Sequence, residues 1–171
     1  SQIENHDMLG DIYMHIAGNY SAKNMGQYFT PHPVCDMMAD ITIQDTEKEA
    51  PTVIDPSCGS GRMLISAAKK LKPGAHFTGI DLDRVCAQMA ALNLCLFNMN
   101  GIVYHGNGLS LKMYDGYITQ HTALGGRVRI LTDEELESYT QRDGEAIQEA
   151  TSQKLTEPAK NGQPEPQLSL F

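Results

Sequence analysis

Two acids and a glycine turn are the parts of this sequence best suited to chemistry. Asp55 opens the run DPSCGSG, and Asp81 stands in GIDLD (Gly79 to Asp83), about 20 residues beyond the glycines. Gly59, Ser60 and Gly61 supply a turn made by small residues, where a ligand can touch bare backbone N–H groups. An acid at the tip of a second strand is placed to grip a ribose diol. The turn is not a phosphate loop, because Arg62 follows Gly61 and no Gly-Lys-Ser/Thr is present there. Asp55 would repel a pyrophosphate and suits a cation, such as an amino group or a sulfonium. Taken alone, Gly59 and Gly61 fit equally well a tight strand end that binds nothing.

The elements around these residues follow from apolar spacing. Thr52, Val53 and Ile54 read as a buried strand, and His76 to Asp83 as a second. Between them Met63, Leu64, Ala67, Ala68 and Leu71 recur at helix spacing. Upstream, Met8, Leu9, Ile12, Ile16 and Tyr20 predict a packed amphipathic helix. Pro33 opens another helix, with Val34, Met37, Met38 and Ile41 as its buried stripe, and residues 44–50 form a charged surface loop. Downstream, Val85, Met89, Leu92, Leu96 and Met99 mark a core stripe on a third helix, which Asp83 either caps or leaves to act as a second acid. A third strand spans Ile102 to Tyr104 and ends in His105-Gly106-Asn107-Gly108. The stretch beyond reads as irregular, with Arg127 to Leu131 a candidate last strand. Thr132 and Glu135 make a capping box for a C-terminal helix, and from Leu155 onward the composition is that of a flexible linker.

The 171 residues amount to about one domain, with no apolar run long enough for a membrane span and no visible signal peptide. The four cysteines (Cys35, Cys58, Cys86, Cys95) show no metal or disulfide spacing, so buried free thiols in a reducing cytoplasm are expected. A net charge of −8 is the wrong sign for a protein that grips phosphates over a wide face. Lys69, Lys70 and Lys72 read as a solvated helix C-terminus.

DPSCGSGRML resembles the first cofactor motif of the amino (N6-adenine) DNA methyltransferases, especially the modification subunits of type I restriction systems. GQYFTP (Gly26 to Pro31) resembles the motif that closes over the methionine end of the cofactor; GIDLD resembles the second motif and HGN (His105 to Asn107) the third. The resemblance covers roughly Met8 to Leu111. It implies a partial Rossmann-like α/β fold that binds S-adenosylmethionine. In that likeness Tyr28, Phe29, Thr30 and Pro31 close over the cofactor, and Asp55 lies by the methionine amino group. Pro56, Ser57, Gly59 and Gly61 shape the turn, Asp81 holds the ribose, Leu82 lies on the adenine ring and Asn107 bonds to it. The implied organisation is an N-terminal helical segment (1–25), a cofactor-binding domain (26–131), a C-terminal helix (132–153) and a tail (154–171).

The same likeness shows what these residues lack. Amino methyltransferases carry Asn/Asp-Pro-Pro-Tyr/Phe to orient the target amine, and no Pro-Pro pair occurs here. Stand-alone catalysis is therefore not expected, and no catalytic residue is assigned. A short parallel sheet would leave its first strand near an open edge, which predicts dimerisation or cover by the C-terminal segment. The final QLSLF resembles the peptide by which bacterial replication and repair proteins dock on the β sliding clamp. Gln167, Leu168, Leu170 and Phe171 are its contact residues, with docking onto the chain itself the alternative. Three readings remain: a methyltransferase-related subunit, meeting DNA through a partner; a non-catalytic binding protein held at DNA by the clamp; or a degenerate remnant that binds no ligand.

Overall fold

The computed structural model describes residues 6–20, 28–43 and 50–156. In chain order these form α1 (Met8–Tyr20), α2 (His32–Thr42), β1 (Thr52–Asp55), α3 (Arg62–Ala68), β2 (His76–Asp81), α4 (Arg84–Leu96), β3 (Asn100–Asn107), β4 (Lys112–Gln120), β5 (Arg127–Ile130) and α5 (Asp133–Thr156). The tail carrying Gln167 to Phe171, the expected linker from residue 157 onward, the expected surface loop at 44–49, and Gly26 and Gln27 lie outside the described residues.

The strands make one sheet in the order β1-β2-β3-β4-β5. β1, β2 and β3 run parallel, joined by α3 and α4, so the helices cross over one face as parallel connections require. β4 and β5 then fold back antiparallel. Strand alternation sorts the core into two layers. Val53, Phe77 and Val103 face Leu64 and Ala67 of α3 and Ala87, Ala90 and Leu94 of α4. On the opposite face Ile80, Ile102 and Tyr104 meet Leu131, with Leu136 and Tyr139 of α5 packed against them.

β4 corrects the irregular reading of KMYDGYITQ. Paired to β3 from Gly101↔Thr119 to Asn107↔Lys112, it also lengthens β3 at both ends beyond Ile102–Tyr104. Gly116 in its centre is needed for packing, because a Cβ there would lie 2.9 Å from Leu131 and 3.2 Å from the Tyr104 ring. The expected last strand is β5, whose arginines suit an edge.

Three helices present faces other than those their apolar spacing predicts. On α1, Met8, Ile12 and Ile16 are exposed, while Asp7, just before it, is wholly buried. On α2, Val34, Met37 and Ile41 face outward and the small Cys35 and Ala39 are buried. That face is selected by polar ties to α3: Ser66 Oγ donates to Asp36 at 2.7 Å, Lys69 pairs with Asp36 at 3.0 Å, and Lys70 pairs with Asp40. Lys69 and Lys70 are thus not simply a solvated helix end. On α4, Met89 is buried, as is Met99 beyond it, but Val85, Leu92 and Leu96 are exposed; the alanine face packs inward because α3 and the sheet approach closely. α5 begins at the expected capping box, with Thr132 N–H donating to Glu135 and Glu135 N–H to Thr132 Oγ1. It continues to Thr156, and Tyr104 Oη donates to Asp143 at 2.7 Å to hold it down.

β1 is the outermost strand on its side, and among the described residues no strand pairs with its second edge. The described part of the C-terminal segment lies instead over Tyr104 and Leu131, so it is not the cover expected for β1.

Candidate cofactor site

Parallel strands deliver their C-terminal ends to one rim of a sheet, and this rim collects the acids. The β1–β2 register sets Asp55 opposite Gly79, and the β2–β3 register sets Asp81 opposite His105. Open α/β sheets bind ligands at this end.

The turn after β1 is built to approach its surroundings closely. Gly59 (φ 54°) and Gly61 (φ 83°) both adopt left-handed backbone, the conformation that favours glycine. A Cβ on Gly59 would lie 3.0 Å from the Phe29 ring, and one on Gly61 3.2 Å from Ala90 of α4. A Cβ on Gly108 would meet the Pro56 carbonyl at 2.3 Å, so the loop after β3 is pressed against the Asp55-Pro56 corner. Cys58 N–H donates to Ile80 O at 2.9 Å and ties the turn to β2.

Asp55 is almost fully buried, and its Oδ1 accepts from Ser57 N–H at 3.0 Å. Burial, against that hydrogen bond and with Asp81 nearby, pushes its carboxyl up to about 7. A cation beside it would reverse that shift. Asp81 accepts from Gly59 N–H (2.8 Å, Oδ2) and Asp83 N–H (2.8 Å, Oδ1), which fixes the carboxylate across the turn. A carboxylate has about four acceptor positions, so capacity remains for a diol. Leu82 beside it is 63% exposed, an apolar surface open at the rim. Asp83 serves as the N-cap of α4, accepting from Val85 and Cys86 N–H groups, which resolves its two readings towards the cap.

Asn107 is turned inward on its own loop, its Oδ1 accepting from Leu109 N–H (2.9 Å) and Ser110 N–H (3.0 Å). Both lone pairs of the amide oxygen are thereby used, which leaves Nδ2 as the amide's remaining group for a ligand. Phe29 stands over Gly59 and stacks on Tyr13 of α1 at 5.6 Å, with the Arg62 guanidinium 5.9 Å from its ring. Thr30 O accepts from Arg62 Nη1 at 3.2 Å, Pro31 caps α2, and Tyr28 is 73% exposed. The structure therefore brings Phe29, Thr30, Asp55, Gly59 and Asp81 together, with Leu82 at the margin.

Sequence reasoning missed the buried group that holds this arrangement. Asp7 accepts from Gly10 N–H (2.7 Å), Arg62 Nε (3.0 Å) and Asn93 Nδ2 (2.7 Å), and from Ser60 Oγ inside the glycine turn. Arg62 also reaches Asp11 at 2.7 Å. Arg62, placed where a phosphate loop has lysine, thus fastens α1 and Thr30 to the turn. Tyr13, stacked on Phe29, was also missed; burial and the nearby Cys86, Asp83 and Asp81 raise its hydroxyl pKa. The cysteines are free and Cys35, Cys58 and Cys86 are buried; burial drives the Cys58 thiol well up and Cys86 to about 12, so neither is a nucleophile at neutral pH.

A Rossmann-like sheet with a glycine turn, a buried Asp55 and an Asp81 at the next strand end defines a methyltransferase-type cofactor fold. Residues 4–123 match the family described as N-6 DNA Methylase, and the chain belongs to that family. It is 30% identical over 105 residues to the type I restriction enzyme MjaVII methylase subunit of Methanocaldococcus jannaschii, covering 58% of this chain and 18% of that protein. To the MjaVIII methylase subunit of the same organism it is 27% identical over 136 residues, covering 75% and 23%. The chain thus spans about a fifth of the length of these relatives. Among solved structures it is similar to a type I restriction-modification methyltransferase subunit from Streptococcus thermophilus (27% identity, TM-score 0.43, 57% of this chain and 22% of the other). It is also similar to a class I S-adenosylmethionine-dependent methyltransferase, so described, from Listeria monocytogenes (21%, TM-score 0.41, 63% and 36%). Among the described residues no helix is long and apolar enough to cross a membrane.

Proposed function

We propose that this chain supplies the S-adenosylmethionine-binding part of a DNA adenine N6-methyltransferase, and that the amine-orienting loop comes from outside these 171 residues. The observation that carries the reading is the convergence of Asp55, Gly59 and Asp81 at one sheet rim, beside a β1 edge that no strand among the described residues pairs with. Asp55 offers a negative charge to the methionine amino group and Asp81 an acceptor to the ribose hydroxyls. Leu82 offers an apolar face to adenine, and Phe29 to Pro31 cover the methionine end. Asn107 meets adenine through Nδ2, or through Oδ1 once its turn opens.

A further strand running parallel to β1 would pair with its open edge and carry its own C-terminal loop to the side of Asp55. That is where an Asn/Asp-Pro-Pro-Tyr/Phe loop would have to act on an extruded adenine. DNA contact through a partner also agrees with the net charge of −8. NMR titration with S-adenosylmethionine tests the reading: the amides of Gly59, Gly61, Leu82 and Gly108 should shift while those of α5 stay. Shifts confined to α5 and β5, or none, would contradict it.

A second reading rests on the QLSLF sequence: a clamp-docking protein that uses this fold as a scaffold. Retention of the protein on immobilised bacterial β clamp, lost in Phe171→Ala, is its expected result. Equal retention of both proteins, or none, would remove it.

A further inference from the structure

Three metal-ligating side chains meet beside the loop that covers the glycine turn. His6 precedes α1, Asp11 lies in its first turn and His32 is the first residue of α2. Their ligand atoms all lie within 4.8 Å of one another. His6 Nε2 is 2.6 Å from Asp11 Oδ2, and His32 Nε2 is 3.7 Å from Asp11 Oδ1. The two imidazoles stack with centroids 4.1 Å apart, so both rings reach the same carboxylate side by side. Among the described residues His32 Nε2 is buried without a hydrogen-bond partner, which leaves its lone pair available to a ligand.

We propose that His6, Asp11 and His32 form a binding site for a divalent transition metal, with Zn2+ the best-suited ion. Two imidazoles and one carboxylate are donors of the right hardness, and three protein ligands leave a fourth position for water. Tetrahedral bonds of about 2.0–2.2 Å set ligand atoms roughly 3.4 Å apart, so His6 and Asp11 must part by a little under an ångström and His32 close by a few tenths. Both His6 and Asp11 have about half of their side chains exposed, so the movement is small and unobstructed. The Arg62 Nη2 bond to Asp11 Oδ1 orients the carboxylate, as outer partners of metal ligands do. Arg62 also brings a positive charge, which buried Asp7 offsets at 3.0 Å. The ion would join His6, two residues ahead of α1, to His32, the first residue of α2. It would therefore steady the residues that lead into His32 and help keep Phe29 over Gly59 whether or not a cofactor is bound.

The test is calorimetric titration of ZnCl2 into the chelator-stripped 171-residue protein, with the thermal midpoint followed in parallel. Single-equivalent binding and a raised midpoint are expected. Both are expected to be lost in His6→Ala and His32→Ala and kept in His121→Ala, with far-UV circular dichroism unchanged in the exposed-site variant His6→Ala. No binding, or undiminished binding in His6→Ala, would overturn the site. Co2+ substitution gives a second readout: a sulfur-to-metal absorption band would move the binding to the cysteines and likewise overturn it.

Discussion

Replacing Asp7 by alanine should be the most destabilising single change near the site. Asp7 is fully buried and accepts four hydrogen bonds, from Gly10 N–H, Ser60 Oγ, Arg62 Nε and Asn93 Nδ2. Removing one member of a buried ion pair costs about 3–5 kcal/mol, because the remaining charge stays desolvated. Each orphaned neutral donor would add roughly 1–3 kcal/mol if nothing relaxed. Arg62 keeps Asp11 and Thr30 O as partners, and water can enter the space left by the carboxylate, so the terms do not sum. A loss of about 3–5 kcal/mol is expected, a large part of the ~5–15 kcal/mol that stabilises a domain. Urea unfolding followed by circular dichroism measures it. The double variant Asp7→Ala/Arg62→Met should lose clearly less than the two single losses added together, since the charge left unpaired by either change is absent from both. A loss under about 1 kcal/mol in Asp7→Ala, or strict additivity in the double variant, would refute the claim that this network fastens α1 to the glycine turn.

Other consequences follow from the site. The Asp55 carboxyl, at about 7 in the folded protein, is ionised in the unfolded chain from about pH 4 upward. The unfolded state then binds fewer protons, so stability falls as pH rises between about 4 and 7, at up to ~1.4 kcal/mol per unit; Asp55→Asn should flatten this slope in urea titrations. A cationic ligand would need Asp55 ionised, so S-adenosylmethionine affinity should weaken about tenfold per pH unit below 7, seen by calorimetry at several pH values. Gly59→Ala puts a Cβ on left-handed backbone 3.0 Å from Phe29 and should lose about 1–2 kcal/mol with ligand binding, read by thermal unfolding and titration. Tyr104→Phe removes the bond to Asp143 and should cost about 1.5–3 kcal/mol, with faster amide exchange in α5.

The legible parts of the fold were local ones. β1, the glycine turn, α3 and the acid-tipped β2 follow one another within about thirty residues, and each has its own marker of branched residues, small residues or spacing. The capping box before α5 and the cap at Asp83 are equally local. β4 escaped notice because its pairing is with β3 and its central Gly116 answers to Tyr104 and Leu131, not to a strand pattern. The exposed stripes of α1, α2 and α4 show the limit of periodicity: Asp36, Asp40 and Asp7 choose the inward faces through partners far along the chain. Asp7 and Tyr13 left no local signal for the same reason. A carboxylate shared by Ser60, Arg62 and Asn93 is visible only once three elements have been assembled.

The most direct measurement of the central claim is calorimetric titration of S-adenosylmethionine into the parent protein, Asp55→Ala and Asp81→Ala. Saturable binding in the parent that is lost in both variants is the predicted result. No heat from the parent, or undiminished binding in both variants, would contradict a cofactor site at this sheet rim.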